Sequence, residues 1–167
     1  MIFTESITRV ITLPRLKLAI AARSPVDIIL TDPDGLTTTK QVYGIPDSYY
    51  YEDDFDEDGD LDDVVTLSEL KMGDYLITVQ PQPEANLTDT YTLNVLGEDT
   101  TVSFAYNVQV AHIPAQSYII RFTETGIIPI IPATVDFDPD TLNLKSQGKY
   151  VTTYIELPVG HGYDPYM

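Results

Sequence analysis

The chain has 167 residues, with 26 acidic against 9 basic side chains, a formal charge of −17, and neither cysteine nor tryptophan. That excess of carboxylates disfavours nucleic acid and anionic membrane surfaces as partners, and the missing thiols exclude disulfides, thiol catalysis, zinc–thiolate sites and c-type haem attachment. No apolar run approaches the roughly 20 residues that a helix needs to cross a bilayer, and Arg9, Pro14, Arg15 and Lys17 break the N-terminus as a signal peptide would not, so a mature or excised segment without membrane insertion is expected.

Two-residue periodicity dominates from the start. Ile7, Arg9, Ile11 and Leu13 alternate with Thr8, Val10 and Thr12, and Leu16, Leu18 and Ile20 alternate with Lys17, Ala19 and Ala21. A strand is expected at 26–31, closed by the turn residues Asp32-Pro33-Asp34-Gly35, and another at 38–43. Tyr49, Tyr50 and Tyr51 follow, and a strand there would place Tyr49 and Tyr51 on one face and turn Tyr50 inward.

The next segment, 54–63, sets a carboxylate at every other position and then a glycine: Asp54, Asp56, Asp58, Gly59, Asp60, Asp62 and Asp63. A hard divalent cation takes about six to eight oxygen ligands, and alternate residues of a curled loop aim theirs at one centre when a glycine permits the reversal. Asp54, Asp56 and Asp58 fill the first, third and fifth positions of such a loop, Gly59 the sixth and Asp62 the ninth. An EF-hand would carry glutamate at the twelfth position, where this chain has Val65, and would lie between helices. The pattern instead resembles the shorter D-x-D-x-D-G-x-x-D calcium loops between strands of extracellular proteins such as integrin propellers, with Asp62 or Asp63 closing the site. A solvated acidic tract is the other reading of these residues; Gly59 at the curl, and Phe55 and Leu61 among the carboxylates, weigh against it. Calcium is the one cofactor expected; extracellular modules of this chemistry work near roughly 0.1–1 mM, so its role is expected to be stabilising rather than signalling.

Beyond the loop, strands are expected at 64–67, 74–80, 90–96, 101–110 and 117–123, separated by Met72-Gly73-Asp74 and Gly97-Glu98-Asp99. With 12 prolines at the boundaries and no sustained helical stripe, this is an antiparallel β-sandwich. Tyr75 opens its strand after a tight corner and resembles the tyrosine corner of immunoglobulin-like sandwiches, where the hydroxyl ties the corner to nearby backbone; β-propensity alone also accounts for a tyrosine there. Asn86-Leu87-Thr88 is a weak glycosylation sequon. The run from Ser24 through Asp32-Pro33-Asp34-Gly35, Gly44-Ile45-Pro46, the acidic loop, Gly73-Asp74-Tyr75 and Asp89-Thr90-Tyr91 is similar to the accessory immunoglobulin-like β-sandwich modules of large secreted archaeal and bacterial surface proteins and hydrolases, over roughly Arg23 to Phe122. The resemblance implies a non-catalytic domain of a larger protein, outside the cell or on its surface.

Residues 1–125 are therefore expected to form the sandwich, and the apolar, proline-punctuated stretch 126–133 a linker or linker strand. From 134 to 167 the sequence looks like the opening hairpin of a second secreted module. A lone hairpin is marginal in water, so it is expected to pack on the first domain, to pair with a neighbouring chain or to remain mobile, and its edge is a site for pairing with a neighbouring module or another copy of the chain. Asp136, Asp138 and Asp140 repeat the carboxylate spacing without the glycine and fit an Asp-Pro turn better than a second calcium site.

No catalytic constellation is visible. The two histidines, His112 and His161, have no nucleophile elbow beside them, and the carboxylates cluster in one polar loop rather than as a cleft pair with separated pKa values. The alternative function is that of a carbohydrate-binding module appended to a secreted hydrolase, with Tyr49 and Tyr51 on one strand face stacking on a glycan; the missing tryptophan weighs against it, and strand packing is the other reading of these tyrosines.

Overall fold

The computed structural model describes residues 17–23, 25–54, 57, 59–98, 100–131, 134–138 and 152–156. The candidate strand at 7–13 lies outside them. Among the described residues, ten strands precede the terminal hairpin: β1 (Leu18–Arg23), β2 (Val26–Thr31), β3 (Thr37–Thr38), β4 (Ser48–Asp53), β5 (Asp62–Leu67), β6 (Gly73–Pro81), β7 (Thr90–Gly97), β8 (Thr101–Gln109), β9 (Tyr118–Thr123) and β10 (Gly126–Ile130). They form two five-stranded sheets, ordered β4-β5-β1-β7-β8 and β10-β9-β6-β2-β3, in which every pairing is antiparallel. The chain is an all-β sandwich, as its periodicity predicts.

Alternation sets the core. Leu18, Ile20 and Ala22 of β1 and Val26, Ile28 and Leu30 of β2 are buried while their neighbours are not, and one cluster joins them to Val65, Leu67, Ile77, Leu93, Phe104 and Ile120. Each such aliphatic side chain contributes roughly 1.5–3 kcal/mol of burial free energy. Buried polar groups then fix how one sheet lies on the other. Tyr91 of β7 and Tyr118 of β9 join hydroxyls at 2.7 Å, and Thr38 of β3 meets Ser48 of β4 at 2.7 Å between buried hydroxyls.

Three boundaries differ from the sequence expectation for physical reasons. The strand expected at 38–43 stops at Thr38, because the Thr39 hydroxyl accepts the N–H groups of Gln41 and Val42 and turns the chain; Tyr43 returns only as an isolated bridge to Thr38. The strand expected to begin at 64 begins at Asp62, since Asp62 and Asp63 pair in register with Asp53 and Glu52. The strand expected to reach Val110 ends at Gln109 in a 3-10 turn, Val110–His112. Residues Gly126–Ile130, within the stretch expected as linker or linker strand, pair with β9 and form an edge of the second sheet. Beyond them, β11 (Thr134–Asp138) and β12 (Thr152–Glu156) make a two-stranded antiparallel hairpin.

The corner before β6 is built as the tyrosine reading anticipates. Tyr75 is buried and its hydroxyl accepts the Lys71 N–H at 2.7 Å. Gly73, with φ of 129°, lets the backbone pass Pro33; a Cβ there would sit 2.9 Å from the Pro33 Cβ. Lys71 clamps the β2–β3 turn to this corner, its ammonium lying 2.8 Å from Asp32 Oδ2 and 2.5 Å from Asp34 Oδ2. Asp32 Oδ1 accepts the N–H groups of Asp34 and Leu36. Burial alone would raise the Asp32 pKa, but Lys71 and the two N–H donors outweigh it and hold the carboxyl below its ordinary value.

Tyr75→Phe is expected to lower the unfolding free energy by about 1–2 kcal/mol, and Asp32→Ala by about 2–4 kcal/mol, in urea titrations followed by circular dichroism. Since folding depresses the Asp32 pKa, its stabilisation is present above the ordinary carboxylate range and lost as pH falls through the lowered value; Asp32→Asn should flatten that acid limb.

Candidate metal centre

The acidic loop is the tip of the β4–β5 hairpin, beyond the last register pair Asp53–Asp62. Positive φ angles at Glu57, 59°, and Gly59, 96°, reverse the chain. A Cβ at Gly59 would meet nothing within 4 Å, so the glycine answers to the backbone angle rather than to space. The Gly59 N–H donates to Asp54 Oδ2 at 3.1 Å, and the Asp54 N–H to Asp53 Oδ1 at 3.0 Å. The curl expected at Gly59 is therefore present, closed by the first carboxylate of the motif.

Of the six expected ligands, Asp54 is half-buried and Asp60 exposed in this loop, and Asp56 and Asp58 lie outside the described residues. Asp62 and Asp63 are both buried on β5. Adjacent strand residues point to opposite faces, and Asp63 shares its face with Val65 and Leu67 of the core, so one ion held by the loop would take Asp62 or Asp63 but not both. Among the described residues no three His, Asp or Glu side chains converge as metal ligands. The donors are all hard oxygens on a loop curled at a glycine, which suits calcium; Asp54, Asp60 and Asp62, together with Asp56 and Asp58, would hold it, and the ion would supply positive charge to a loop that otherwise repels itself.

Asp63 is engaged elsewhere. Its Oδ2 accepts the Tyr50 hydroxyl at 2.6 Å, and that hydroxyl in turn accepts the Ile28 N–H at 3.3 Å. Tyr50 stands on β4 and Ile28 on β2, so this chain of bonds crosses from one sheet to the other immediately behind the loop. Lys40 Nζ lies 2.5 Å from Glu52 Oε1 and 3.9 Å from Asp27 Oδ1, adding a charged shell. Asp63 Oδ1 and Asp27 Oδ1 are buried without a hydrogen-bond partner. Burial, with the neighbouring Asp27 charge, pushes the Asp63 carboxyl up to about 6 against the opposing pull of Tyr50 and Lys40, and burial followed by the Asp63 bond pushes the Tyr50 hydroxyl well above its ordinary range. The sequence motif pointed to Asp63 as a ligand candidate but not to Tyr50, Asp27 or Lys40 as its neighbours; the inward Tyr50 of the two-residue pattern was the one available signal.

A cleft of about 350 Å³ opens between the loop and the β6–β7 connection, bordered by Lys40, Glu52, Asp60, Glu84 and Asp89. On β4, Tyr49 and Tyr51 are 61% and 45% exposed and Tyr50 only 7%, the alternation expected from the sequence. His112 is exposed in the 3-10 turn.

Tyr50→Phe removes a donor from a buried carboxylate and an acceptor from a backbone N–H together, and is expected to cost about 2–4 kcal/mol by urea titration. Because folding raises the Asp63 pKa, its native form holds a proton more tightly than the unfolded chain, and this contribution to stability is lost as pH rises through about 6. In chelator-treated protein, Asp63→Asn should abolish a fall on the order of 2–3 kcal/mol between pH of about 4 and about 7.

Compared with protein families, with curated proteins and with solved structures, the chain matches none of them.

Proposed function

We propose that the chain is a non-catalytic, calcium-stabilised extracellular module with a structural or adhesive task, part of a larger surface protein or self-assembling array, joined to its neighbours through strand edges. The observation that carries this reading is the curl at Gly59, closed onto Asp54 at the tip of a hairpin whose strands bear the Tyr50–Asp63 tie. Calcium on Asp54, Asp56, Asp58 and Asp62 would neutralise the loop and order it, and the order would pass through β4 and β5 into the inter-sheet contact. In a chain without disulfides, such an ion takes over the stapling of an exposed connection. That no serine-centred nucleophile elbow accompanies either histidine in the sequence supports a non-catalytic role.

Titration calorimetry on chelator-stripped protein, with a melt at each end point, tests the reading. Binding at roughly 0.1–1 mM is expected, with stabilisation of about 1.4 kcal/mol at tenfold excess over Kd and slower proteolysis between Glu52 and Asp63. Asp56→Ala should weaken binding; unchanged affinity in that variant, or no binding at millimolar calcium, removes the site.

Carbohydrate binding is the second reading, favoured by Tyr49 and Tyr51 standing exposed on one face. A glycan array whose signals vanish in Tyr49→Ala and Tyr51→Ala, with the melt unchanged, would establish it; a blank array ends it.

A further inference from the structure

Edge strands offer unpaired N–H and C=O groups to another chain unless something blunts them. In the sandwich, each of the four edges is blunted. β3 has two residues. β10 contains Pro129, which lacks an N–H. β8 bulges opposite Thr92, where the register jumps from Tyr91–Val108 to Leu93–Ala105; Asn107 has a φ of 50° and gives its N–H to the Thr92 hydroxyl. β4 ends in Glu52 and Asp53 and is engaged from within the chain, by Lys40 on Glu52 and by the Tyr43 hydroxyl on the Tyr50 carbonyl at 3.5 Å.

The terminal hairpin is different. Among the described residues it pairs with no third strand, and on β12 the consecutive residues Tyr154 and Ile155, which point to opposite faces, are 53% and 65% exposed. Two strands alone are marginal in water, and among the described residues this sheet, with large apolar side chains open on both faces, has neither the third strand nor the cover that stable sheets have.

Charge decides which of its edges self-pairs. Antiparallel pairing of β11 with itself about its centre would set Asp136 opposite Asp136, a like-charge contact that destabilises a ladder. The same operation on β12 sets Tyr154 opposite Tyr154, Thr153 opposite Ile155 and Thr152 opposite Glu156, a β-prone register in which no charge faces another. We propose that β12 is the edge through which two copies of this chain associate, forming a continuous four-stranded sheet about a two-fold axis. The proposal rests on the reading of the chain as a module joined by strand edges, and names the edge and the partner. With −17 on each copy, association should strengthen as salt screens the repulsion between them.

The experiment is sedimentation velocity on the full chain, as wild type, Tyr154→Asp, Tyr154→Lys and an equimolar mixture of the two variants. The two-fold sets residue 154 against itself, so each variant alone should dimerise roughly fivefold or more weakly than wild type, and the mixture should recover the lost association. Recovery also shows that both variants are folded. A monomeric wild type, variants that dimerise as wild type does, or a mixture no tighter than its components each overturns the assignment. A wild type that binds calcium and stays monomeric ends the β12 interface and leaves the module reading standing; one that dimerises with the stated pattern and binds no calcium upholds the interface while the calcium site falls.

Discussion

Two sheets without a disulfide or a tryptophan between them can slide on a core of small aliphatics, and in this chain tyrosine hydroxyls set the alignment. Tyr50 reaches from β4 to the backbone of β2, and Tyr91 meets Tyr118 across the same gap. Each ring supplies apolar area to the core, and each hydroxyl reaches a partner there, so the directionality of a hydrogen bond is added to a packing force that has none. Everything outside the core is placed relative to these ties. The acidic loop projects from the hairpin that carries Tyr50, and the corner before β6 is held by the fourth such residue, Tyr75.

Charge is distributed unevenly around that frame. Lys40 serves Asp27 and Glu52, Lys71 serves Asp32 and Asp34, and Arg121 meets Asp74 with two nitrogens. Lys40 and Lys71 thus sit at connections between strands, where they hold turns in position, Arg121 lies across the β6–β9 ladder from Asp74, and the tip of the β4–β5 hairpin concentrates carboxylates. That division leaves the loop at 54–63 as the most acidic stretch of the sequence. The exposed Arg121–Asp74 pair, by contrast, is of the surface kind that adds roughly 0–1 kcal/mol.

Much of the architecture was legible because its signal is local and periodic. The strand at 26–31, the inward Tyr50 between outward Tyr49 and Tyr51, and the Tyr75 corner follow from side chains alternating across a pleat. What escaped is what depends on contacts distant in sequence or on competing hydrogen bonds. Thr39 ends a strand that its β-branched neighbours would have continued, because its hydroxyl captures two N–H groups. Asp62 and Asp63 read as the close of a loop, and only the register with Asp53 and Glu52 draws them into β5 and turns Asp63 toward the core. Of the candidate site, the motif located the curl at Gly59 and the carboxylate that closes it; Asp27 and Lys40, contributed by other elements, carry no local signature.

The place of β1 in the first sheet bears on how the molecule is made. It is the earliest described strand, yet it lies between β5 and β7, with Leu18 opposite Leu67 on one side and Gly97 on the other. During synthesis one edge of β1 can pair once residues 62–67 are made, but the other must wait, unpaired, until residues 90–97 have left the ribosome, and closing such distant pairings is slow because the loop entropy is lost before the contacts form. The nascent chain is most exposed to wrong pairing over that interval, and charge protects it only in part: residues 1–50 carry five acidic and five basic side chains, so repulsion between neighbouring chains begins with the acidic loop that follows.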